Sequence, residues 1–140
     1  HGIGVTPYSP LARGVLTGKY APGAAPPPET RAGRGDKRIH ETEFRPESLA
    51  IAQKLAARAK ELGITPAQYA LAWVLKNPII TGVIAGPRTL EQWMDYLKAP
   101  LTLPAEDEAL VDSLVVPGHP STAGFTDPAY PVRGRPVETR

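Results

Sequence analysis

Arg88 is the residue whose type and setting point most directly to chemistry. It follows Gly86-Pro87 at the end of an apolar run and precedes Thr89, a candidate helix N-cap. A phosphate placed there would meet a guanidinium and helix N–H groups together; the plainer reading is a surface cation. Gln92 lies three residues beyond Thr89, so it suits the N3 position of a capping box. Asp95 follows one turn later. A second basic stretch, Arg31-Ala-Gly-Arg-Gly-Asp-Lys-Arg38, reads either as a flap able to close over phosphates or as a solvated, mobile insertion. Lys19 and Ser9-Pro10-Leu11 on their own are a surface charge and a commonplace turn. His40 and His119 stand apart without ligand spacing, and there is no cysteine, so no metal site, disulfide or thiol nucleophile is expected.

The elements that must position these residues alternate in type. Gly2–Tyr8 is a short β-prone run stopped by Pro7 and Pro10, and Ala12–Tyr20 suits a helical turn. Residues 21–45, with Pro26-Pro27-Pro28 and several glycines, form a loop of unusual length for a compact domain. From Pro46, the positions Leu49, Ala52, Leu55 or Ala56, Ala59 and Leu62 recur at helical spacing, with Gly63 suited to the C′ position. Thr65-Pro66-Ala67-Gln68 predicts a capping box with proline at N1, opening a helix that ends at Asn77-Pro78. Ile79–Ala85 is a second buried-type strand. A helix follows from Thr89 to about Lys98. Another runs from Pro104 to about Val115, its first turn holding Glu106, Asp107 and Glu108 where the helix dipole favours acids. Residues 117–140 read as an extended tail.

Strands alternating with helices predict an α/β fold with a parallel sheet. Two strands leave two sheet edges unpaired, so the architecture looks incomplete. The chain also opens on His1 rather than Met, which places the expected true N-terminus elsewhere. The 140 residues carry a formal net charge of +2, too little excess to argue for nucleic acid or a membrane surface. The longest apolar run is far short of the roughly 20 residues a membrane span needs. Absence of cysteine fits a reducing, cytoplasmic setting.

Gly2-Ile-Gly-Val-Thr-Pro-Tyr-Ser-Pro-Leu-Ala-Arg-Gly-Val-Leu-Thr-Gly-Lys-Tyr20 resembles the seventh strand and following loop of aldo-keto reductases. Gly63–Trp73 resembles the helix before that family's last strand, and Val83–Gln92 resembles its eighth strand and cofactor-binding turn. The likeness covers residues 1–116. Asp127–Gly134 resembles the carboxy-terminal extension of some members, which commonly shapes the substrate pocket. The resemblance implies the carboxy-terminal half of a (β/α)8 TIM barrel: the last two strands, their helices and a tail.

It also implies hydride transfer between NADP(H) and a small carbonyl or alcohol substrate. The family's tyrosine acid and its supporting lysine, aspartate and histidine match no position here. They are expected upstream of His1, in the half of the barrel that the chain would need as a partner, and no catalytic residue is assigned. Cofactor binding is implied for Tyr8, Ser9, Pro10, Leu11, Ala12, Arg13, Lys19, Gly86, Arg88, Thr89, Gln92 and Asp95. The resemblance sets Tyr8 against the nicotinamide face, where the plainer reading is a rim tyrosine packed in the core; it sets residues 9–13 and Lys19 along the pyrophosphate, and Arg88 on the adenosine 2′-phosphate. It sets Gln92 and Asp95 near the adenine. Where the family often has asparagine this chain has Tyr96, able to stack on the base instead. The alternative is a non-catalytic fragment or interaction module with weak or no nucleotide binding.

Overall fold

The computed structural model describes residues 1–131. Five α-helices and a 3₁₀ segment organise the described residues. The 3₁₀ segment covers Ala12–Thr17, α1 Lys37–Thr42, α2 Pro46–Glu61, α3 Pro66–Leu75, α4 Leu90–Tyr96 and α5 Glu106–Leu114. Local chemistry accounts for most of these boundaries. Asp36 caps α1 by accepting from Ile39 N, and Pro46 opens α2 at its first turn, where a missing N–H costs nothing. Gly63, at φ +69°, then closes α2. Its N–H donates to Lys60 O, and that of Ile64 to Ala59 O, each at 3.0 Å. Two residues later the capping box of α3 is complete: Gln68 N donates to Thr65 Oγ1 and Thr65 N to Gln68 Oε1.

The expected strands are corrected. Gly2–Tyr8 and Ile79–Ala85 run extended side by side, but they meet only through an isolated parallel bridge between Tyr8 and Ile84. Thr81 N donates to Val5 O and Ile84 N to Pro7 O, both at 2.9 Å. Two features stop this contact from becoming a ladder. Val5 N donates to the Thr81 hydroxyl rather than to a carbonyl, and Pro7 has no N–H to give. Among the described residues there is no sheet, so the part of a (β/α)8 barrel expected from the sequence is not what they form. The long loop is corrected too, because residues 37–42 inside it are helical.

Packing divides into two regions. Val15, Tyr20, Ala32, Ile39, Leu49 and Ala52 form a buried cluster, with Ala12, Leu16 and Phe44 against it. This cluster fastens the 3₁₀ segment and the 21–45 loop to α2. The second region surrounds Asp107, whose side chain is fully buried. Arg58 of α2 donates to it twice, at 2.9 and 3.1 Å, and the Tyr69 hydroxyl of α3 donates at 2.7 Å. Lys76 pairs with Glu108 beside them. The tail lies on α1 and the start of α2; of the Asp127–Gly134 motif, residues 132–134 lie outside the described residues.

The Asp107 cluster sets a pH window. The Arg58 hydrogen bonds hold the Asp107 carboxyl below its ordinary value of 3.8 despite burial. Its stabilisation is therefore present above about pH 4 and lost as pH falls through the folded value. Burial, then the bond to Asp107, pushes the Tyr69 hydroxyl above its ordinary value of 10.0. That contribution is present below pH 10 and lost as pH rises past it. Urea unfolding at pH 7 should show Tyr69→Phe destabilised by about 1–3 kcal/mol, with the decline above about pH 10 diminished. An unchanged midpoint and alkaline limb would contradict the assigned bond.

Candidate functional site

Left-handed backbone at four of the residues from 9 to 14 shapes the loop at the cleft. Ser9, Ala12 and Arg13 take φ values of +56°, +46° and +53°, with Gly14 at +93°. Left-handed conformations at non-glycine residues are costly, and they persist where surrounding structure enforces them. Here Ala12 N donates to Ser9 O and Gly14 N to Leu11 O, while Val15 is anchored in the core. The resulting tight loop begins at the end of the first extended segment and faces the end of the second.

Between them is a cleft of about 410 Å³. The first segment and its loop contribute Tyr8, Ser9, Pro10, Leu11, Arg13 and Lys19. From the second segment and α4 come Gly86, Arg88, Gln92 and Tyr96, and from the 21–45 loop Glu29, Thr30 and Arg31. Four cations, Arg13, Lys19, Arg31 and Arg88, thus face one space that also holds the single carboxylate of Glu29. The Arg13 Nε is buried and has no hydrogen-bond partner. A buried guanidinium N–H without an acceptor is costly; Trp73 Nε1, outside the cleft lining, is likewise unpaired. Lys19 folds back so that its Nζ would lie 2.9 Å from a Cβ built on Gly14, and it is the φ of +93° there that favours glycine.

Nine of the sequence-predicted residues thus line the cleft, and three do not. Ala12 turns against the core. Thr89 accepts from Gln92 N as the cap of α4. The Asp95 carboxylate accepts from the Thr65 hydroxyl at 3.0 Å and Gln68 Nε2 at 2.8 Å, which joins α4 to the capping box of α3. Gln92 departs from the capping box expected of it: its Oε1 accepts from Arg88 N at 2.7 Å rather than from Thr89 N. That bond orients the backbone of Arg88 and leaves the guanidinium as the group able to meet a phosphate. The Tyr8 ring is on the cleft wall and 73% exposed, not packed in the core. Tyr96 lines the cleft from the α4 side, its hydroxyl pushed above the usual range by burial and then by Asp95.

Sequence reasoning did not single out Glu29 and Thr30. Only the proline-rich composition and basic flank of that loop hinted at a role. The loop is held firmly: Thr30 Oγ1 donates to Pro27 O at 2.6 Å, Ala32 N to the Tyr20 hydroxyl at 3.3 Å, and His40 Nε2 meets Ala32 O at 2.9 Å.

The model of the aldo/keto reductase family matches residues 1–116. A probable voltage-gated potassium channel subunit beta of Arabidopsis thaliana is 38% identical over 81% of this chain and 35% of its own length. An uncharacterized oxidoreductase of Bacillus subtilis is 34% identical over 92% of the chain and 36% of its own length. An L-glyceraldehyde 3-phosphate reductase of Escherichia coli is 31% identical over 84% and 35%. The chain therefore spans about a third of the length of these relatives.

A Cβ on Gly33 would sit 2.0 Å from Pro27 O, so this glycine allows the loop that carries Glu29, Thr30 and Arg31 to fold on itself. Gly33→Ala should destabilise that loop by about 1–3 kcal/mol and speed amide exchange across residues 27–33. Exchange equal to the wild type would contradict this packing.

Proposed function

The chain belongs to the aldo/keto reductase family, and from that premise we propose that its cleft binds NADP(H) as part of an oxidoreductase acting on a small carbonyl or alcohol. The observation that carries the reading is the meeting of Arg13, Lys19, Arg31 and Arg88 in one cleft. Such a set suits a ligand with several phosphates. NADPH, when bound, supplies the hydride.

The chain's own residues bind and orient in this scheme. Arg13 and Lys19 take the pyrophosphate, aided by the close approach that Gly14 permits. Arg88, its backbone fixed by Gln92, takes the adenosine 2′-phosphate. Tyr96 offers a flat surface to the adenine, and the exposed Tyr8 ring offers one to the nicotinamide. A ring held flat presents one face to the substrate, which is a positional contribution to rate. The acid that protonates the carbonyl oxygen is proposed to come from family sequence upstream of His1, so this chain by itself would bind without catalysis. The setting proposed is cytoplasmic; among the described residues no helix is long and apolar enough to cross a membrane.

A second reading has its own support. Relatives named as potassium channel beta subunits, together with exposed Ile3, Ile79, Ile84, Trp93 and Met94, suit a chain that serves as an interaction module. NADPH fluorescence titration separates the two. Saturable binding supports the first, and none at millimolar nucleotide supports the second.

In the intact protein, Arg88→Ala should weaken NADPH by about 1.5–3 kcal/mol and leave NADH nearly unchanged. Equal losses for both would remove Arg88 from the 2′-phosphate. Tyr8→Ala should lower the rate of hydride transfer in single-turnover measurements; an unchanged rate would remove Tyr8 from the nicotinamide face.

A further inference from the structure

The tail meets the body of the chain at a point that bears on the cleft, although none of its described residues lines it. Arg38 of α1 donates to Asp127 through both terminal nitrogens, at 3.2 and 2.5 Å. A two-pronged arginine–carboxylate pair is geometrically selective, and both side chains are about three-quarters buried, at 28% and 26% exposure. Beside it, the Arg45 guanidinium lies 3.8 Å from the Phe125 ring centroid and donates to Thr122 and Ser121, each at 2.8 Å. Ser121 also meets Ser48 of α2 at 2.7 Å. The tail is thus fixed at two arginines, one within α1 and one just after it.

From α1 the connection continues to the cleft. Asp36, which caps α1, also pairs with Arg31 at 3.5 Å, and Asp36 N donates to Arg31 O. His40, on the same short helix, meets Ala32 O. A six-residue helix has little stability of its own, so its position depends on such attachments.

We infer that residues 121–127 are a strap that holds α1, and through it the Glu29–Arg31 wall of the cleft, with Asp127 and Arg38 as positioning residues for the nucleotide. The inference rests on the NADP(H) reading for its ligand, though not for the strap itself. Breaking the pair removes no cleft side chain but frees the wall to move. It should therefore change how tightly, and for how long, a phosphate-bearing ligand is held.

The test uses Asp127→Asn and Arg38→Asp singly, and the Arg38→Asp/Asp127→Arg exchange, in the intact protein. Two quantities are read: amide exchange of residues 29–36, and NADPH affinity and dissociation rate by fluorescence. Each single variant should speed exchange of that loop and raise the NADPH Kd by roughly 5-fold or more, the lower end of ordinary coupling between sites. The exchanged pair should restore both, which a general loss of stability would not do. Faster loop exchange with unchanged NADPH affinity would overturn the positioning role, and so would unchanged exchange. If the wild type binds no NADPH, the nucleotide reading fails, and loop exchange in the same variants still decides the strap.

Discussion

The buried carboxylate of Asp107 is the constraint around which the helices are arranged. A carboxylate removed from water is tolerated only when charge and hydrogen bonds replace its hydration. Arg58 and Tyr69 supply these from two other helices, so α2, α3 and α5 cannot shift independently without leaving the charge unmatched. The requirement is stricter than apolar packing, which tolerates sliding. Three hydrogen bonds converging on two oxygens fix direction as well as distance. A second junction repeats the device more mildly, where Asp95 closes α4 onto the Thr65–Gln68 cap of α3.

The cleft inherits its shape from this frame at one remove. α4 carries Gln92 and Tyr96, and its position follows from α3. On the opposite side, the 3₁₀ segment and the proline-rich loop are held by the Val15–Tyr20–Ile39 cluster against α2. Residues 9–14 span the space between in an unfavourable backbone conformation, stabilised by neighbouring packing rather than by their own preferences. The cations meet because helices with no charge in the cleft are locked together elsewhere.

The orphaned Arg13 Nε fits this picture. A buried polar atom is normally paired. The Nε of half-buried Arg13 is not, nor is Trp73 Nε1 outside the cleft lining; Arg13 also sits in left-handed backbone. Together these features put an incompletely paired arginine on a strained loop at the edge of the cleft.

Much of the local structure was legible in the sequence. Pro46, the Thr65–Gln68 box, Gly63 and Thr89 mark helix ends through rules that act within four residues, and α2 to α5 lie close to where those rules place them. The family likeness was legible as well, since it rests on residue order. Other features needed the tertiary structure. Glu106, Asp107 and Glu108 look alike in sequence as dipole-favoured acids, yet only contact with Arg58 and Tyr69 makes Asp107 the buried one. Gly2–Tyr8 and Ile79–Ala85 have the composition of strands, but Pro7 and the Thr81 hydroxyl interrupt the ladder between them. Asp95 leaves the predicted site because Thr65 and Gln68 engage it first. Helix caps are decided by neighbours along the chain. Burial, strand pairing and the meeting of charges depend on groups tens of residues apart, whose competition for the same partner no local pattern records.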